Sequence, residues 1–295
     1  MEIDSRFVGT SLKKYSCKVK WRDIMNYAAA TEDNNQKYFD DEKEEGIVAP
    51  PMFAVSQSWA ILENLSNFIE ADDFPTELFF TIVHYTEHLK IHRLIKSGDE
   101  LDFKGKIVAI IPHRAGTHLI LCLKVTDNNH KPVFTEFIGG MLRGVKCVGG
   151  AKGEKTVPPI SRDLLDKDRT AQIWEKSIYI DPLRSFIYDG CTGITFPIHT
   201  SKQFAHQVGL PGIILQGTAT LAYVVKELTN KEADGNPSKI KEIACKFTDM
   251  VFPGSDIKLI LQKKMKTDNI RELFFEVHNA GNKKAIRDGY IHIED

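Results

Sequence analysis

Two stretches of the chain carry apolar residues at the spacing of one buried helical face, and each is entered through a turn rich in Gly or Pro. In the first, Val48-Ala49-Pro50-Pro51-Met52-Phe53-Ala54-Val55 leads on to Trp59, Leu62 and Leu65. In the second, Leu210-Pro211-Gly212-Ile213-Ile214-Leu215-Gln216-Gly217 leads on to Leu221, Val224, Val225 and Leu228, the i, i+3, i+4, i+7 pattern. Each predicts a long, mostly apolar helix. After each one the pattern changes to strand-like runs, punctuated by Lys96-Ser97-Gly98-Asp99 in the first half and Phe252-Pro253-Gly254-Ser255-Asp256 in the second. Two hairpins follow from Asn/Asp/Gly turns between apolar runs. Leu119–Val125 and Val133–Phe137 flank Asp127-Asn128-Asn129, and Leu273–Val277 and Ala285–Ile291 flank Asn279-Ala280-Gly281-Asn282.

One helix followed by an antiparallel meander, given twice, predicts an α+β chain in which each half wraps a sheet around its own central helix. That arrangement is a tandem, or double, hotdog. The order of elements carries the repeat, since the halves share little sequence. The glycine-rich run from Val148 to Lys155, closed by Pro158-Pro159, marks the boundary. The expected organisation is a first hotdog over 1–147, a linker over 148–165 and a second hotdog over 166–295.

Composition narrows the function by exclusion. The net charge is -1 and no Lys/Arg block is present, so nucleic acid and membrane are not expected partners. Met1-Glu2-Ile3-Asp4 is acidic with no apolar run behind it, and a cytoplasmic location is the expectation. Five scattered cysteines without a C-x-x-C pair read as reduced, mostly buried thiols. Neither a phosphate-cradling nor a dinucleotide glycine motif occurs, and no nucleophile elbow does, so no cofactor is expected. His84-Tyr85-Thr86-Glu87-His88 matches a zinc-peptidase spacing that works on a helix. Its β-branched surroundings predict a strand, on which a period of two sends Glu87 to the face opposite His84 and His88. No metal site is therefore expected, and His84, His88 and His92 are read as solvent-facing strand histidines.

Candidate chemistry gathers in Tyr188-Asp189-Gly190-Cys191-Thr192-Gly193-Ile194-Thr195-Phe196-Pro197-Ile198-His199, then Phe204-Ala205, then Gly209 to Gly217. This resembles the signature of the MaoC-like (R)-specific enoyl-CoA hydratases and 3-hydroxyacyl dehydratases, S-G-D-x-N-P-x-H followed by G-x-x-x-x-I-x-H-G. The resemblance implies interconversion of a 2-enoyl thioester and a (3R)-hydroxyacyl thioester, carried on CoA or on an acyl carrier protein. It implies an Asp and a His that hold the water, with a backbone N–H at the start of the central helix polarising the thioester carbonyl. A helix N-terminus suits that last task because its free N–H groups and dipole favour negative charge. On this reading His199 and Asp189 are the catalytic candidates, and Gly217, Gln216 and Tyr188 the substrate-binding ones. A homo-oligomer is compatible with it.

The sequence departs from that signature at two positions: Ile194 stands where the Asp should be and Phe196 where the Asn should be. In the first half, the stretch from Tyr27 to Tyr38 keeps Asp33 and Asn35 while Tyr38 replaces the His. Each half thus keeps the member of the pair that the other has lost. Three arrangements follow: His199 paired with Asp189, a chain that binds thioesters without turning them over, or a composite of Asp33 with His199.

Each candidate also has a plainer role. His199 serves equally as a loop hydrogen bonder, Asp189 as a turn former before Gly190, Asp33 as a helix-end residue, and Gly217 as a point of close approach. A rival enzyme class, hotdog thioesterases, draws on a carboxylate of the central helix, for which Glu63 and Glu227 are the residues available.

Overall fold

Leu221, Val224, Val225 and Leu228 lie on one sixteen-residue helix, Gly217–Glu232, and all four are buried. That helix is buried almost all round, as a helix enclosed by a sheet must be. Its counterpart in the first half is shorter, Phe53–Glu63, and breaks at Asn64 before a single further turn. Val55 and Leu65 are buried, with Trp59 and Leu62 packed at the core's edge.

The computed structural model describes residues 1–159 and 172–295. In chain order its helices are α1 (Trp21–Ala30), α2 (Phe53–Glu63), α3 (Leu65–Phe68), α4 (Arg184–Thr192), α5 (Lys202–Gln207) and α6 (Gly217–Glu232). The first-half strands are β1 (Glu2–Asp4), β2 (Tyr15–Lys18), β3 (Ile82–Ile91), β4 (Glu100–His113), β5 (Gly116–Asp127), β6 (Pro132–Arg143) and β7 (Lys146–Val148). Those of the second half are β8 (Trp174–Ile180), β9 (Ile240–Phe247), β10 (Ser255–Thr267), β11 (Ile270–His278) and β12 (Lys284–Glu294). Both expected hairpins are present, as β5–β6 and β11–β12, with strands longer than their apolar runs.

Ten of the strands form one antiparallel sheet in the order β2-β4-β5-β6-β3-β9-β12-β11-β10-β8. Read outward from the β3–β9 junction, the two sides have the same sequence of strands, so the halves are related by a local two-fold axis. The junction is a direct ladder, from Thr86↔Lys246 to Lys90↔Glu242. This is the double hotdog.

Four details differ from the sequence expectations. The described part of the 148–165 segment is not free: β7 pairs with β1, Lys152 bridges to Ile110, and the Thr156 hydroxyl donates to the Val108 carbonyl. Gly153 makes this docking possible, with φ of 83° and a position where a Cβ would sit 1.9 Å from the Val108 oxygen. Residues 160–171, which hold the rest of that segment, lie outside the described residues. All five cysteines are free, but only Cys122 and Cys245 are buried; Cys17, Cys147 and Cys191 are half-buried.

The third concerns the strand histidines. β3 is indeed a strand, but its register slips between His84 and Thr86, which inserts Tyr85 as an extra residue. The bulge adds one to the period and brings His84 and Glu87 together, His84 Nε2 lying 3.2 Å from Glu87 Oε2. His88 is also buried and bonds Glu242 Oε1 at 2.6 Å, leaving His92 as the exposed member. Finally, Asp189 is not in a loop: it sits in the last turn of α4.

Candidate active site

His199 ends a single 3-10 turn, Pro197–His199, started by a proline whose fixed φ suits a first helical position. The half-buried imidazole turns back to the segment that leads into α6, where Nδ1 donates to the Ile214 carbonyl at 2.8 Å. A carbonyl only accepts, so Nδ1 carries the proton and Nε2 keeps its lone pair. Burial pushes the imidazole pKa down to about 4, and no carboxylate is near enough to hold it up. At neutral pH His199 is an uncharged base with Nε2 available.

The lead-in to α6 is fixed from several sides. Ile214 N–H donates to the Ile198 carbonyl, Leu215 N–H to the Val251 carbonyl, and the Ser185 hydroxyl to the Ile214 carbonyl. Gln216, the residue ahead of the helix, is buried, and its Nε2 donates to the Ser185 carbonyl at 3.2 Å. That bond fixes the amide orientation, leaving Gln216 Oε1 buried without a partner; Thr218 Oγ1, one residue into the helix from Gly217, is buried beside the Tyr188 hydroxyl. No side chain caps α6, so the N–H groups of its first turn point out unsatisfied by a cap. Gly217 lies under the Phe247 ring, whose nearest atom would be 3.1 Å from an added Cβ. His199, Gln216 and Gly217 are therefore gathered at one end of α6.

Tyr188 is fully buried at the joint between the halves, its hydroxyl 3.3 Å from that of Tyr27 of α1 and beside Thr218 in the first turn of α6. The carboxylate candidates fall elsewhere. Asp189 makes no hydrogen bond to His199. Its carboxyl takes the Phe196 N–H and feels Glu63, and burial raises its pKa. Asp33 is buried, accepts from the Asn35 N–H, and faces Pro51, Met52 and, on α6, Val225 and Lys226. Val225 is eight residues beyond Gly217, about 12 Å along the helix axis. A direct Asp33–His199 pair is not formed. Ile194 is in the core at 2% exposure.

The carboxylates on the central helices are engaged at positions away from the helix starts: Glu63 accepts from the Thr195 hydroxyl, and Glu227 pairs with Lys176. Among the described residues no cluster of potential ligands has the makings of a metal site, and no helix is long and apolar enough to cross a membrane.

His84, expected from the sequence to face solvent, turns inward here. Its ring stands edge-on against Phe247, centroids 4.7 Å apart, and Phe247 in turn covers Gly217. The H-x-x-E-H spacing had marked the segment, but the bulge that turns it inward has no sequence signal of its own.

The two loops are copies in detail. Tyr38 N–H donates to the Asn35 carbonyl and His199 N–H to the Phe196 carbonyl, each at 3.0 Å; Val48 N–H reaches Lys37 as Ile214 N–H reaches Ile198. Comparison with known proteins agrees with that duplication. Residues 168–284 match the MaoC like domain family, and residues 6–136 match the FAS1-like dehydratase domain region. The chain thus carries a MaoC-like domain in its second half and a FAS1-like dehydratase region in its first, in the double-hotdog fold.

Among its relatives is the probable enoyl-CoA hydratase 2 of Dictyostelium discoideum, 22% identical over 267 residues that make up 89% of this chain and 88% of that protein. Several other matched relatives are much longer proteins, of which the chain spans about a third or less. The fold is shared with a MaoC-like dehydratase from Phytophthora capsici, with a TM-score of 0.82 at 19% identity over 98% of this chain and 97% of that one. It is also shared with a Mycobacterium tuberculosis protein described as a double hotdog, with a TM-score of 0.61 at 12% identity over 95% and 94% of the two chains.

Proposed function

We propose that the chain adds water reversibly to a 2-enoyl thioester, giving the (3R)-hydroxyacyl thioester, at the start of α6. The observation that carries this reading is the His199 Nδ1 bond to the Ile214 carbonyl, which leaves Nε2 as a free base beside an uncapped helix N-terminus. His199 Nε2 takes a proton from water as its oxygen adds to the β-carbon, and returns it to the α-carbon. The charge that develops on the thioester oxygen is met by the N–H of Gly217 and its first-turn neighbours, with the helix dipole behind them. The relatives' hydratase and dehydratase activities support the same reaction class. CoA or an acyl carrier protein is the carrier to be tested.

Crotonyl-CoA hydration, followed by loss of the enoyl thioester absorbance, tests the reading. His199→Ala should lower the rate by about a hundredfold or more. Undiminished turnover in that variant would remove His199 from the mechanism.

Ile194 at the position of the usual acid favours a second reading, thioester binding without turnover. In that case butyryl-CoA raises the melting temperature while crotonyl-CoA is recovered unchanged.

A further inference from the structure

With Ile194 in place of a carboxylate, the His199 reading leaves the reacting water with one acceptor. We propose that His84, on the seam strand of the first half, supplies the other: its Nδ1 accepts one O–H of the water whose second O–H is deprotonated by His199. The inference rests on the His199 reading and extends it to a residue from the opposite half.

Four observations converge on His84. The bulge at Tyr85 turns the side chain inward, and such bulges recur beside active sites because they re-aim a side chain without ending the sheet. The ring lies against Phe247, which also covers Gly217, so His84 and the start of α6 share one aromatic neighbour. Nε2 is 3.2 Å from the Thr86 carbonyl oxygen and 3.2 Å from Glu87 Oε2. Since the carbonyl only accepts, the proton resides on Nε2 and Nδ1 is the lone-pair atom. Nδ1 has no partner among the described residues, and the side chain is 20% exposed, so it is open to solvent.

Glu87 backs this arrangement. It is completely buried against the imidazole, beside an equally buried Glu136, and makes no hydrogen bond to the ring, so the Thr86 carbonyl sets the tautomer. Burial also holds the His84 pKa down at about 4, so the imidazole is neutral, and an acceptor, at physiological pH.

The proton count closes. The water oxygen bonds to the β-carbon as its first proton passes to His199 Nε2, and the π pair moves towards the α-carbon and the thioester oxygen. His199 then returns the proton to the α-carbon. The O–H held by His84 remains as the hydroxyl of the product.

Two isosteric substitutions separate this role from a structural one. Asn places its amide oxygen near the Nδ1 position, whereas Gln places its amide near Nε2 and keeps the bond to Thr86. His84→Asn should retain crotonyl-CoA hydration within about tenfold, and His84→Gln should lose about a hundredfold in kcat at an unchanged melting temperature. The opposite order, or equal activity in both, overturns the proposal. If His199→Ala keeps full activity, the parent reading fails while the Asn/Gln contrast still decides the role of His84. Should either variant fail to fold, wild-type protein labelled with 15N-histidine gives the answer: the His84 Nδ1 resonance shifts on saturation with butyryl-CoA. A stationary resonance places His84 away from the thioester and overturns the proposal.

Discussion

The hydroxyls of Tyr27 and Tyr188 meet at 3.3 Å although the residues are 161 positions apart. That same interval relates Asp33 to Ile194 and Tyr38 to His199. Two equivalent residues touch each other only on the axis that exchanges the halves, so the pair marks the two-fold at the joint between α1 and α4.

The Tyr27–Tyr188 contact should show as energetic coupling. Tyr27→Phe and Tyr188→Phe each remove one partner of a buried bond and should cost about 1 kcal/mol. The double variant, which leaves no hydroxyl unpaired, should cost clearly less than the sum. Urea unfolding of the four proteins measures this, and strict additivity would show that the contact carries no energy.

Activity should depend on pH through a base with a depressed pKa. Burial lowers His199 to about 4, so Nε2 is already unprotonated at pH 6. The profile of kcat/KM should rise between about pH 3 and 5 and be flat from there through neutrality. A midpoint near 6.5, the ordinary histidine value, would mean that the free enzyme does not hold His199 in this environment.

Glu136 should limit stability in alkali. It is fully buried, and burial, reinforced by Glu87, raises its pKa well above the ordinary value. The folded chain keeps a proton that the unfolded chain releases. This contribution is complete below the unfolded pKa and is lost as pH rises through the folded one. Glu136→Gln, which is neutral at every pH, should therefore gain about 1–3 kcal/mol relative to wild type at pH 8 and little at pH 4. Equal differences at both pH values would contradict a buried protonated carboxyl.

Gly217→Ala probes how closely the helix start is covered. The added methyl would meet Phe247 at 3.1 Å, and the ring must yield by a few tenths of an ångström, carrying the His84 contact with it. We expect kcat to fall about tenfold, while the melting temperature stays within about 3 °C. Full activity would indicate that Phe247 moves without consequence for the site.

The sequence made legible what depends on local pattern. Leu221, Val224, Val225 and Leu228 announced α6, the Asn/Asp turns announced both hairpins, and the spacing around Pro197 and His199 put Asp33 opposite Ile194 and Tyr38 opposite His199 in the two halves. What it hid depends on register or on contacts between the halves. One inserted residue, Tyr85, reverses which face Glu87 occupies, and no residue type in β3 signals it. Asp189 before Gly190 read as a turn, but α4 runs through Gly190 and stops only at Gly193, which has φ of 70°. Tyr188 adjoins the motif in sequence; its contact with Tyr27 is visible only when the halves are superposed on their axis.

The β3–β9 ladder also bears on how such a molecule can change. In a pair of identical chains every substitution is written twice, so an acid lost from one loop is lost from both. Covalent fusion lifts that constraint. One copy is free to drop its histidine and the other its aspartate while the assembly stays intact, and a residue such as His84 can then be recruited from the neighbour without being imposed on both sites. The asymmetry is thus a freedom that joining both halves in one chain makes available.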